Sequence, residues 1–150
     1  MRRRAAAKAA ALCTRVSGGF RVVFIRFVID EIDRRSGRRQ GLFHAAGALQ
    51  HEPELAAREH DQLASIFTWF NTHLKRPDRL SLSPRPHRKA VALSWFRHSA
   101  TTHLAKMREL QDAVERCGRP VRIIETRRVG YVVYRDEFQV AACPFRDTPA

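Results

Sequence analysis

The stretch FRVVFIRFVI at residues 20–29 restricts the possible folds more than any other part of the chain. It is rich in β-branched and aromatic residues, with Val23, Ile25, Phe27 and Ile29 on one side of a two-residue period and Val22, Phe24 and Val28 on the other. A strand that is apolar on both faces must be covered on both, so it belongs in the middle of a sheet. Arg26 interrupts the run, which is far shorter than the roughly 18–20 apolar residues needed to cross a bilayer. No membrane partner is expected.

A second periodicity sets the helical layer. Leu63, Ile66, Phe67, Phe70 and Leu74 recur at helical spacing and predict a helix over residues 53–74, with Pro53 at its first position and Glu52 and Glu54 near its positive end. A shorter helix over 42–50 precedes it, after a polar loop. Pro77, Pro84 and Pro86 exclude a helix from 76–89, which reads as a long basic loop carrying Arg76, Arg79, Arg85, Arg88 and Lys89. A buried strand is expected at 90–96. Ser99 then caps a helix over 100–117 that buries Leu104, Met107, Leu110 and Val114 and stops at Gly118 and Pro120. Short strands at 121–126, 130–134 and 138–142 close the chain, the last two as an antiparallel hairpin.

The resulting order is β-α-α-β-α-β-β-β, of the α/β or α+β class. Helical crossovers between the first three strands imply parallel pairing among them, giving a mixed sheet with a C-terminal antiparallel hairpin. A chain of 150 residues holds one ordinary core. The expected organisation is a flexible basic arm at 1–19, one domain at 20–145 and a short tail at 146–150. For the arm, an upstream extension or a cleaved targeting segment are the alternatives to a simple tail.

Charge is the strongest functional signal. Lys and Arg number 28 against 15 Asp and Glu, a formal net charge of +13. The arm contains five of the bases and no acid, so residues 20–150 remain basic by eight. A polyanion, nucleic acid first, is the partner this composition suggests. Three cysteines, Cys13, Cys117 and Cys143, form no metal or disulfide pattern and suit a reducing, cytoplasmic setting.

With parallel strands, the strand ends would gather Arg34, Arg35, Arg38 and Arg39 from the first loop, Arg97, His98 and Ser99 from the second strand, and Arg127 and Arg128 from the third. Guanidinium groups and the N–H groups opening the helix after Ser99 would then meet an anion. Ordinary solvated loop arginines, ion-paired with Asp30, Glu31 and Asp33, are the competing reading of the same residues.

No cofactor or metal is expected: HExxH, GxSxG and phosphate-binding glycine loops are absent, and His98 and His103 are five apart. The leading expectation is therefore a non-catalytic basic binding module. One alternative is a phosphodiester or phosphoryl-transfer enzyme, with Asp30, Asp33 and Glu125 on a divalent cation and Arg97 or His98 on phosphate. The other is a protein-interaction or homo-oligomerising domain, favoured if Trp69 lies in an exposed apolar patch.

Overall fold

A computed structural model describes residues 22–77 and 92–149, and the basic arm and most of the 76–89 loop lie outside those residues. The apolar run forms β1 (Phe24–Ile32), followed by a turn in which the Asp33 carboxylate accepts from Ser36 N, then by β2 (Arg39–Gly41). Helices α1 (Leu42–Gln50) and α2 (Ala57–His73) lead to β3 (Leu93–Arg97) and α3 (Thr101–Arg116). Strands β4 (Val121–Thr126), β5 (Tyr131–Arg135) and β6 (Gln139–Cys143) complete the chain. No helix among the described residues is long and apolar enough to cross a membrane.

The sheet runs β2-β1-β3-β6-β5, with β4 also on β1. Because Phe24 faces both Arg97 and Thr126, and Val28 faces both Gly41 and Arg122, β4 occupies one edge of β1 while β3 and β2 share the other. Every pairing is antiparallel.

The parallel crossovers expected among the first three strands are therefore absent. The helix α3 does connect two strands of the same direction, β3 and β4, as a helical crossover should. Its strands are not neighbours, because β1 lies between them running the other way. The small strand β2, concealed in a polar sequence, reverses the chain before α1. Only the β5–β6 hairpin pairs as expected.

One face of the sheet carries Ile25, Phe27 and Phe96 against the three helices, in a core that includes Leu42, Leu63, Ile66, Phe70, Met107 and Leu110. Phe43 bridges the layers, meeting the Phe70 ring edge-on at 4.8 Å. The opposite face carries a second cluster of Leu93, Trp95, Val129, Val140 and Ala142, flanked by Phe24, Ile124 and Val132. No helix covers it. Instead, residues 127–130 pass from the end of β4 to the start of β5 with Val129 buried, and residues 144–149 lie alongside, held where Arg38 donates to the carbonyls of Thr148 and Phe145.

Two helix starts differ from expectation. The segment from Pro53 forms a turn, and α2 begins at Ala57, since Leu55 packs toward the core and Leu55 N bonds to Glu52 O. Ser99 does not cap α3: Ala100 precedes Thr101, without a side-chain cap, and Ser99 offers only its carbonyl to Thr101 N.

Gly130 permits the crossover. Its φ is +115°, and a Cβ there would lie 2.0 Å from the Cys143 carbonyl oxygen. Gly130→Ala is expected to destabilise the protein by at least about 2 kcal/mol in denaturant unfolding, from backbone strain together with that collision. Phe70→Ala should cost about 3–5 kcal/mol in the same measurement, and Phe67→Ala less, because Phe67 is only partly buried.

Asp136 closes the β5–β6 turn. Burial opposes its ionisation, but hydrogen bonds from Phe138 N, the Tyr134 hydroxyl and Gln139 outweigh it and hold the carboxyl below its ordinary pKa. Its stabilisation is then complete above the ordinary carboxylate range and is lost as pH falls through the lowered value. Asp136→Asn is expected to lower stability at neutral pH and to flatten the acid limb of a Tm-against-pH profile.

Candidate functional site

Since β3 and β4 both run against β1, their C-terminal ends flank its beginning, and the end of β5 reaches the same rim through β6. Each of these strands ends in, or just before, an arginine. Arg97, Arg127, Arg128 and Arg135 thus line one open cleft of about 1080 Å³, with Glu125 and Asp147 as its acids and Val22, Phe24, Val132 and Val140 as part of its floor.

These cations are held differently. Arg97 is half-buried and donates from Nε to the Asp136 carbonyl at 3.0 Å, which fixes its guanidinium across the rim. Arg128 pairs with Asp147 at 3.1 Å and lies over the Phe145 ring. Arg127 and Arg135 are exposed and have no acidic partner among the described residues. The cleft therefore combines one positioned guanidinium with two that are available to an incoming anion.

The other arginines expected at this site lie elsewhere. The antiparallel course of β1 carries Arg34, Arg35 and Arg39 to its far end, roughly 26 Å along the strand at about 3.3 Å per residue, whereas the Arg38 guanidinium reaches Thr148, between the cleft residues Asp147 and Pro149. At the far end Arg34 and Arg35 are exposed and Arg39 pairs with Asp30 at 3.4 Å, while Arg38 clamps the C-terminal segment. His98 and Ser99 follow Arg97 but are absent from the cleft lining, and His98 N is used by the Val23 carbonyl. The cleft lining includes Arg97, Arg127 and Arg128 but not Arg34, Arg35, Arg38, Arg39, His98 or Ser99.

The carboxylates considered for a divalent cation are likewise separated. Glu125 is opposite Ile25, whereas Asp30 lies five residues further along β1, roughly 16 Å at strand rise, and Asp33 beyond it. Among the described residues, no group of three or more His, Cys, Asp or Glu side chains is placed to hold a metal. Asp30 instead bonds Arg122 at 2.9 Å.

His103 is buried, and its Nε2 donates to the His73 carbonyl at 2.9 Å beneath Trp69 and Phe138. Trp69 packs edge-on to Phe70 and stacks on His73, so it does not centre an exposed patch. Sequence reasoning omitted Arg135 from the site. Its signal was available, a strand-terminal arginine beside the β5–β6 turn, but without the pairing order nothing connected that turn to Arg97.

No family model, curated protein or solved structure matches this chain.

Proposed function

We propose that this protein is a non-catalytic basic module that binds nucleic acid or a comparable polyanion along the rim where β3, β4 and β5 end. The observation that carries the reading is the gathering of four arginines from the ends of three strands at one open cleft, with Arg127 and Arg135 lacking acidic partners among the described residues. Phosphate groups spaced along a backbone would meet guanidiniums at fixed positions, Arg97 being oriented beforehand by the Asp136 carbonyl. Diffuse charge contributes attraction at a distance, whereas the rim supplies the contacts. A cytoplasmic setting fits the thiols of Cys117 and Cys143.

The test is a salt titration of binding to fluorescent single-stranded and duplex DNA and RNA. Affinity is expected to fall steeply with salt and to vary little with sequence. Each phosphate contact removed should reduce the log–log slope by about 0.7 on single strands or 0.9 on duplex DNA. Replacing Arg97, Arg127 and Arg135 together by Ala should thus flatten the slope by about 2 or more, with little change in Tm. Replacing Arg34 and Arg35 should have a smaller effect. An unchanged slope in the triple variant would remove the rim from the proposal, and absence of binding at low salt would end it.

A further inference from the structure

The open cleft holds more than its arginines. Phe24 lies directly opposite Arg97 on β3 and Thr126 on β4, while Arg135 on β5 lies opposite Val140, itself opposite Trp95. Directly paired residues of antiparallel strands share a face, so Phe24, Arg97, Val140 and Arg135 all rise from the second face, the one without helices. Val132, opposite Ala142, joins them. Glu125 is opposite Ile25, a residue of the helical core, and so springs from the other face.

The result is an apolar band between cations. Arg127 and Arg128 stand past the end of β4 on one side and Arg135 at the end of β5 on the other, with Arg97 between them. Strands β1, β3 and β6 separate β4 from β5, four strand spacings or roughly 19 Å. Within that span Phe24 and Val132 line the cleft and are only partly covered by the second core cluster. The cleft, of about 1080 Å³, slightly exceeds the range of about 300–1,000 Å³ that takes a drug-sized molecule, so a base with its sugar fits inside it.

Such a band discriminates among polyanions. Arginines alone accept any chain of phosphates. A duplex turns its phosphates outward and keeps its bases stacked within, so it spans the guanidiniums and leaves the apolar band unfilled. Inorganic polyphosphate has nothing apolar to place there. A single strand alternates phosphates with flat rings that are free to turn toward the protein, and stacking on an aromatic side chain tolerates any sequence because every base has a π face.

We propose that the cleft binds single-stranded nucleic acid, with phosphates on Arg97, Arg127 and Arg135 and one base laid in the apolar band against Phe24, an inference that rests on the basic rim being a polyanion site. The arginines supply attraction and register along the backbone. Phe24 supplies the preference for an unpaired strand.

The experiment uses the full chain and compares four probes across a range of salt: a short oligo-dT, an abasic strand of the same length, a duplex of that length and inorganic polyphosphate. Oligo-dT is expected to bind about tenfold tighter than the abasic strand. Their log–log salt slopes should agree, because the two carry equal phosphates and stacking releases no counterions. At physiological salt oligo-dT should also exceed the duplex and polyphosphate. Phe24→Leu keeps the position apolar without the ring; it should weaken oligo-dT binding about fivefold or more, leaving the abasic strand and both slopes unchanged. Ultraviolet crosslinking of an iododeoxyuridine-substituted strand to the unaltered chain should map to Phe24. Equal affinity for oligo-dT and the abasic strand, or a duplex preferred at physiological salt, would overturn the proposal and leave the rim a general polyanion site. Absence of binding to all four probes would end both. An unaltered oligo-dT affinity in Phe24→Leu, or a crosslink confined to Phe145, the exposed ring beneath Arg128, would overturn the placement of the base. Should Phe24→Leu fail to fold, the crosslink and the contrast between oligo-dT and the abasic strand still decide it.

Discussion

The hydrogen bonding of β1 along both edges is the constraint on which the other features depend. From Phe24 to Ile29 it is paired continuously with β4, and on its other edge it is shared by β3 and β2. A strand so enclosed contributes side chains to two interiors, which accounts for the apolar residues on both of its faces. It also fixes direction. Two strands that are both antiparallel to one centre must be parallel to each other, so the ends of β3 and β4 arrive together at the start of β1 and bring Arg97 and Arg127 to a common rim. The edge opposite β4 is divided between two partners, β3 at Phe24 and Ile25 and β2 from Val28 onward.

Coverage of the second face has a different physical basis. Helices protect the first face with their own hydrogen-bonded backbone, but the crossover at 127–130 and the segment 144–149 must satisfy theirs individually. Arg38 does so for two carbonyls, and the Thr148 side chain accepts from Phe145 N, closing a turn on itself. Close contact also requires a residue without a side chain where Gly130 passes Cys143. Arg38 has thereby become a structural bracket; a sequence in which it stands among five polar neighbours gives no hint of that use.

Periodicity made the helices and most strands legible. Residues 42–50 form α1 as expected, 121–126 form β4 with the expected bounds, and the stripe through Leu63, Ile66 and Phe70 is core. Strand β2 was not legible, since Arg39, Gln40 and Gly41 have neither alternation nor β-branching and pair only because β1 presents a vacant edge there. That omission concealed the reversal of the chain and led to parallel pairing. Part of the site survived the error because β3 and β4 do run in the same direction, which is all that Arg97 and Arg127 require. Arg34, Arg35 and Arg39 did not, as they depended on β1 sharing that direction, and Arg38 approaches the cleft only through its bonds to Thr148 and Phe145. Arg26 was read only as an interruption of an apolar run; its burial depends on the partner strands, not on its own neighbours.

The distribution of acids, more than the number of bases, decides where positive charge is available. Asp30 binds both Arg39 and Arg122, Arg119 is held between Glu31 and Glu52, and Glu59 takes Arg116. These pairs occupy Arg39, Arg122, Arg119 and Arg116, while Arg34 and Arg35 stay exposed at the far end of β1 with no acidic partner among the described residues. At the opposite rim, Asp147 takes Arg128, and the Asp136 carboxylate is consumed by the turn it closes, so Arg127 and Arg135 retain their charge. Rim charges exposed to solvent are screened within a Debye length of about 8–10 Å, so their effect must vary with salt. Arg26 is in the opposite regime: it is buried, donates to the Arg39 carbonyl, and has its charged form favoured by Asp33 and opposed by burial.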